Sequence, residues 1–299
     1  MNLGYACINM TLAAQSVKIT TNRGMIKRTF LDKGLEYAGS LALLNVKDLQ
    51  KIIEWNIKNN IIFFRVSSDL FPWASHYDLD SLPQYNQIKS ILYDISKYVK
   101  KYNIRLTFHP GPYNVLTSPN DSVVKNTIND LRQHAEICDL LDLSFSTYNK
   151  INIHCNGVYG DKKTAMDRFC LNFETLPESV KTRLTIENDD KASMYSVKDL
   201  MYIYEKIGVP IVFDFHHHKF CDGGLSEKEA LDLAVSTWPK SIRPVAHYSE
   251  SKSAHESNPL IKPQAHSDYI KHLPETYGHD LDIMIEAKAK ELAITPFLK

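Results

Sequence analysis

No stretch of this 299-residue chain approaches the roughly 18 uninterrupted apolar residues of a membrane-spanning helix, and no charged segment at the amino terminus leads into an apolar one. Neither membrane insertion nor secretion is expected, so the protein is read as intracellular, with cytoplasm and nucleus not distinguished. Cysteine is scarce and unpaired. Cys7, Cys138, Cys155, Cys170 and Cys221 are odd in number, widely spaced and without a C-x-x-C pair, which argues for reduced thiols and against a zinc finger. Neither charge is in excess, because 35 Lys and Arg balance 35 Asp and Glu; any nucleic-acid site must therefore be a local basic patch. No G-x-G-x-x-G follows the first apolar run, which weakens a dinucleotide-binding fold, and no nucleotide cofactor is expected.

What is present is a regular alternation. Short β-rich runs at Leu3 to Cys7, Ile61 to Val66, Ile104 to Phe108, Lys150 to Ile153, Arg183 to Ile186, Val209 to Phe213, Ile242 to Ala246 and Leu281 to Ile285 read as about eight strands. Helical spacing lies between them at Val46 to Lys58, Tyr85 to Lys101, Ser122 to Leu141, Lys163 to Leu176, Val197 to Ile207 and Ser226 to Val235, with Asn45, Ser118 to Asp121 and Ser226 as starts. Eight strand-helix units without a linker predict an α/β fold, one (β/α)8 TIM barrel spanning residues 1–299, because parallel strands need helical crossovers and closure removes both edges. A doubly wound open sheet is the runner-up. The two long connections, Asn9 to Gly34 and Tyr248 to Gln264, both follow strand carboxyl ends, where barrels place function.

Histidine is the unusual count, at 12, and several stand where apolar runs end. Strand 3 ends at His109, strand 4 at His154, strand 5 at Glu187, strand 6 at Asp214, strand 7 at His247 and strand 8 at Glu286, with His217, His218 and His266 in adjoining loops. In a parallel barrel these ends converge on one mouth. A single such residue is more often an ordinary loop or capping group, but six strand ends together are hard to explain by packing, since buried carboxylates are unfavourable unless paired or metal-bound. Imidazole with carboxylate suits zinc, manganese or iron rather than calcium, and the lack of cysteine ligands argues against a purely structural zinc. His134, His255, His272 and His279 read as structural or surface histidines.

The segments "LGYACIN", "RVSSDLFPWASH", "HPGPY", "IHCNGVYG", "VFDFHHH", "HYSES", "AHSDYI" and "IMIEAKAKE" resemble, in order and spacing, the motifs of the UV damage endonuclease family over almost the whole chain. The resemblance implies a TIM barrel related to endonuclease IV that binds two or three divalent metals, commonly manganese, with zinc or magnesium as alternatives. It implies nicking of damaged double-stranded DNA immediately 5′ to a UV photoproduct, leaving 3′-hydroxyl and 5′-phosphate ends. Carried over motif by motif, the metal ligands are His109, His154, Glu187, Asp214, His217, His247, His266 and Glu286, with Glu187 bridging two metals and His76 near the scissile phosphate. Tyr5 and Asn9 match positions that line the lesion-binding groove. The pair that probes the duplex, usually Gln-Tyr, is here Pro112-Tyr113, which keeps the aromatic and loses the amide. Where bacterial members can carry a carboxylated lysine, two residues before the strand 7 histidine, this chain has Val245.

Such a site would serve phosphodiester hydrolysis, with Lys288 as a candidate cationic donor near Glu286. Lys18, Arg23, Lys27 and Arg28 after strand 1, and Lys252 and Lys262 after strand 7, are candidate phosphate contacts, and Trp73 and Tyr113 candidate stacking residues. A monomer is expected. Three other readings stay open: an abasic-site endonuclease of the endonuclease IV type, a metal-dependent sugar isomerase or epimerase on the same barrel, and a damage-binding barrel with vestigial metals.

Overall fold

The computed structural model describes residues 1–298. Its eight strands are β1 (Asn2–Ala6), β2 (Phe63–Arg65), β3 (Arg105–Thr107), β4 (Ile151–His154), β5 (Leu184–Glu187), β6 (Ile211–Asp214), β7 (Val245–Tyr248) and β8 (Asp282–Ile285). They form one sheet in the order β3-β2-β1-β8-β7-β6-β5-β4, and every pairing is parallel. The sheet curls until β3 meets β4, where a parallel bridge between Phe108 and Ile151 nearly completes the barrel. The Phe108 N–H donates to the Lys150 carbonyl at 2.9 Å and the Asn152 N–H to the Phe108 carbonyl at 3.0 Å. That seam is short because Pro110 follows two residues later and has no N–H to extend the ladder.

The helices follow the alternation. Those at Tyr85–Lys101 and Val197–Ile207 lie where the spacing predicts them, and Ser196 and Ser226 each close a capping box. The first long helix differs. It spans Lys27–Lys58, with a break at Gly34, whose φ of 58° and ψ of −155° are readily open only to glycine. Asn45 is consequently not a helix start. It is buried inside that helix, where its side chain accepts from the Arg23 N–H (3.0 Å) and donates to the Arg23 and Leu70 carbonyls (3.0 and 3.1 Å). Leu41, Ala42, Val46 and Leu49 share its buried helical spacing, so burial overrides the capping preference of asparagine.

A large apolar cluster packs helices against strands, and a smaller one, Ala6, Phe63, Val212, Val245 and Met284 with Trp238, draws mainly on the strands. Val245 therefore serves packing. Among the described residues, no helix is long and apolar enough to cross a membrane. In the strand register His154 stands beside Glu187 and Asp214 beside His247. Partners on neighbouring strands lie about 5 Å apart and point to the same face, so pairing alone sets two pairs of polar side chains at the carboxyl ends.

Candidate metal centre

Glu187, the last residue of β5, is the hub and is fully buried. One carboxylate oxygen lies 3.0 Å from His109 Nε2 and 3.8 Å from His154 Nε2; the other lies 3.0 Å from His247 Nδ1 and 3.5 Å from His217 Nδ1. The Asn152 amide donates to the first of these oxygens. Burial alone would raise the pKa of Glu187, but the imidazoles of His247, His154 and His109 outweigh burial and hold it well below the usual carboxylate range.

Three overlapping groups have donor atoms that all lie within 4.8 Å of one another: His109, His247 and Glu286; His109, His154 and Glu187; and Glu187, Asp214 and His217. Seven of the eight residues singled out from the sequence as ligands thus meet at one mouth. The eighth, His266, adjoins them with Nδ1 3.0 Å from the Glu286 carbonyl and 3.8 Å from its carboxylate. A bridge between Ser251 and His266 closes the long connection after β7 and brings this histidine in.

These residues fit divalent cations on two further observations. Glu187 Oε1, Asp214 Oδ2 and His247 Nδ1 are buried without a hydrogen-bond partner; the first and last face each other at 3.0 Å but lack the alignment of a hydrogen bond. Each such orphan is worth about 1–3 kcal/mol of instability unless something fills the space between them. The imidazoles are also mostly held from behind. His217 Nδ1 is 2.9 Å from the Asn188 carbonyl and His109 Nδ1 is 3.3 Å from the Pro110 carbonyl, whereas His154 Nδ1 lies 3.1 Å from Asp189 without the alignment of a hydrogen bond. An acceptor at Nδ1 fixes the proton there and leaves the Nε2 lone pair free, the arrangement expected of histidine ligands. Asp214 Oδ1 accepts from the His216 and His217 N–H groups at 2.7 and 2.8 Å. Burial, helped by Glu187 and Glu286, pushes Asp214 up to about 6. His217 is opposed by burial, but Asp214 and Glu187 take it up to about 9.

His247 differs from them: cationic donors occupy its Nε2 lone pair, so the proton of the neutral ring sits on Nδ1, on the side of Glu187, and must leave before that nitrogen can hold a metal. Its Nε2 faces Arg65 Nη2 at 3.1 Å and Lys150 Nζ at 3.3 Å, and its Nδ1 faces the centre. Burial and these two cations keep the ring neutral, pushed down to about 3. Arg65 also donates to Glu286 at 2.5 Å, so one buried guanidinium braces two of the ligand residues. Strand-end patterning does not pick out Arg65, Lys150, Asn152 or Asp189. The signal that could have found the first two is a charged residue inside or at the start of an apolar strand, as in "FFRV" and "NKINIH".

The remaining candidates fall into two sets. Tyr113 is 86% exposed beside exposed Pro112, on a turn braced by the Asn114 N–H and side chain, both bonded to the Gly111 carbonyl (3.2 and 3.1 Å). His76 is exposed and sits edge-on to Trp73 with centroids 5.0 Å apart; with Tyr113, His109, Asp69 and Asp130 it lines a cavity of about 820 Å³. Other expectations need correction. Tyr5 and Asn9 do not line a groove: both are fully buried, with Tyr5 OH donating to Asn56 (2.7 Å) and accepting from Asn9 (2.9 Å), while Asn9 caps the turn Met10–Ala13. Trp73 is half-buried, stacked on Phe30 and donating to the Met25 carbonyl at 2.8 Å, and it lines the same cavity as Tyr113 and His76. Arg23 is bound to Asp48 at 2.6 Å, and Lys252 is shared between Glu256 and Asp268 at 3.4 and 3.5 Å. Lys288 is exposed to solvent while its backbone N–H donates to the Ser267 carbonyl at 3.0 Å.

The family described as "UV-endonuclease UvdE" matches residues 1–299. A UV-damage endonuclease of Schizosaccharomyces pombe is 40% identical over 98% of this chain and 49% of its own length; a UV DNA damage endonuclease of Clostridium perfringens is 36% identical over 98% and 69%. The chain therefore spans about half the length of the fission yeast relative. Among solved structures, SacUVDE superposes with a TM-score of 0.83 at 33% identity, covering 99% of this chain and 96% of that one. Endonuclease IV from Thermus thermophilus (TM-score 0.54, 10% identity, 96% and 92% covered) shares the barrel alone. So does D-psicose 3-epimerase from Clostridium cellulolyticum (0.55, 13%, 96% and 85%).

Proposed function

This chain belongs to the UV-endonuclease UvdE family, and from that premise we propose that it hydrolyses the phosphodiester bond immediately 5′ to UV photoproducts in double-stranded DNA, leaving 3′-hydroxyl and 5′-phosphate ends. The observation that carries the proposal is the convergence of His109, His154, Glu187, Asp214, His217, His247 and Glu286 on one barrel mouth with several buried donor atoms unsatisfied. Two or three divalent cations are the occupants this set of imidazoles and carboxylates suits, with manganese put first on the family resemblance and zinc or magnesium as alternatives. Once bound, such cations supply acidification of a water and neutralisation of phosphoryl charge.

The chain's own residues do the rest. Glu187 presents its two oxygens to two different groups of imidazoles and so holds the two halves of the centre at a fixed spacing. Arg65 pins Glu286 and His247 from the barrel interior, and Asp189 and the Asn188 carbonyl hold His154 and His217, which keeps donors aimed at the mouth before any substrate arrives. The exposed Tyr113 ring is available to stack on bases that damage has already loosened, and Pro112 stiffens the turn that presents it. His76, exposed on the same cavity as Tyr113, meets the backbone of the same duplex in this proposal.

The deciding experiment is incision of duplexes bearing one defined lesion by metal-stripped protein, with manganese, magnesium or zinc restored. Cutting 5′ to a cyclobutane dimer or 6-4 photoproduct is the expected result. Cutting only at abasic sites would reassign the protein to the endonuclease IV activity, and conversion of free ketoses without nicking would reassign it to a sugar epimerase.

A further inference from the structure

We propose that Lys290, rather than Lys288, is the cationic residue of the segment after β8 that acts on substrate, its ammonium binding a non-bridging oxygen of the phosphodiester at the metal centre. The inference rests on the nuclease reading above.

Lys290 has φ 57° and ψ −124°, a backbone conformation that L side chains seldom adopt. A lysine held there needs a reason, and the surroundings enforce the conformation. The Lys288 and Ala289 N–H groups are tied to the Ser267 and Asp268 carbonyls at 3.0 and 2.9 Å, and the Lys290 N–H donates to the Ala287 carbonyl at 3.2 Å. The chain then enters a helical turn, Glu291–Ile294, whose Glu291 carboxylate binds the N–H groups of Met10 and Thr11 at 2.8 and 2.6 Å. The segment is thus fastened on both sides, to the connection after β7 and to the loop after β1, and Lys290 is the residue that takes up the strain.

The contrast with Lys288 is one of environment. Lys288 is exposed, whereas Lys290 is partly withdrawn from solvent, on a segment that leaves the carboxyl end of β8 four residues after Glu286 and is tied to the loops after β1 and β7. Among the described residues no carboxylate lies within 4.0 Å of it. An ammonium partly drawn out of water at the same barrel mouth as the candidate ligands, yet left without a close anionic partner, is suited to an anion that arrives later. The anion this centre is built to receive is a phosphodiester oxygen, for which lysine acts as a point charge.

Three substitutions in the full-length, metal-loaded protein separate charge from strain. Lys290→Gln keeps the strained backbone and removes the charge, Lys290→Arg keeps both, and Lys290→Gly removes both. Single-turnover incision of a photoproduct duplex should fall about tenfold or more for Gln and Gly, the scale of one charge-assisted hydrogen bond, and stay near wild type for Arg. Bound metal should be unchanged throughout, and the Gly variant should melt at a higher temperature than wild type because its backbone is relaxed. Rates for Gln and Gly near wild type would overturn the proposal, and so would losses that track a fall in bound metal or melting temperature. A wild-type protein that cuts no damaged duplex would defeat the nuclease reading and this proposal with it, whereas active wild type with unaffected Lys290→Gln defeats this proposal alone.

Discussion

The two sides of the barrel mouth are built on different principles. At the strand ends, from His109 just after β3 round to Glu286 just after β8, the candidate ligands are mostly withdrawn from solvent and are braced from behind by Asp189, Asn188, Lys150 and Arg65 of β2. Farther out, on the loops after β2 and β3, Tyr113 and His76 face solvent over an open cavity, held by turns and by Trp73 packing. The first side has its geometry imposed by parallel pairing and leaves little freedom, as charge stabilisation requires. The second is rigid in backbone and open in side chain, as an adaptable contact with a deformed duplex requires. Under the proposed function the difference separates chemistry from recognition, and each half should be breakable without the other.

The largest effect is expected at the hub. Glu187→Gln should lower incision by ~10³-fold or more while leaving the melting temperature of metal-free protein nearly unchanged, since an amide is a poor bridge between cations. Near-native cleavage would show that the buried side is not one coupled unit. Arg65→Gln tests whether bracing matters as much as ligation. It should weaken metal binding by about 10–100-fold, as measured by competition with a chelating dye, because Glu286 and His247 lose their common anchor; unchanged metal affinity would reduce Arg65 to a packing residue.

On the open side, Tyr113→Ala should weaken binding to damaged duplex by about tenfold, roughly 1.4 kcal/mol, with little change on undamaged duplex or in metal content. Equal losses on both duplexes would make Tyr113 a general backbone contact and erase the distinction between the two sides. The smallest effect sharpens the comparison through pH. His217 rises in the folded state from 6.5 to about 9, so the protonated form adds stability that is fully present below about pH 6.5 and is lost as pH climbs toward 9. In chelator, the melting temperature contribution from this group should therefore fall across that window. With manganese the fall should vanish, because the cation takes the place of the proton. A Tyr113→Ala protein should show the same profile, whereas an Asp214→Asn protein should not, since Asp214 is the leading charge that raises His217.

Much of this is legible in the order of the residues alone. Two helices fall on their predicted bounds, all eight strands lie within the expected runs or run on by a residue or two, and the strand-end histidines and carboxylates stand out because apolar runs seldom terminate in such residues. Asn45 misleads because a capping residue and a buried interior asparagine look alike until the residues on both sides are known to share one buried face. Tyr5 and Asn9 mislead for a related reason: position at the end of a strand sets a residue near the mouth, and only packing decides whether it faces the opening or lies beneath it.

The sequence by itself determined the alternation of elements, hence the barrel, and through the common direction of parallel strands the convergence of His109, His154, Glu187, Asp214, His247 and Glu286 on one end. These are consequences of local periodicity and chain direction, which act within a few residues. Only the tertiary structure decided that Arg65 and Lys150 stand behind His247, that Arg23 and Lys252 are already paired, and that Lys290 is partly withdrawn from solvent while Lys288 is exposed. Each of those outcomes depends on which distant charge a long side chain finds, and the contacts concerned span 182 residues in the case of Arg65 and His247, a separation over which no local pattern carries information.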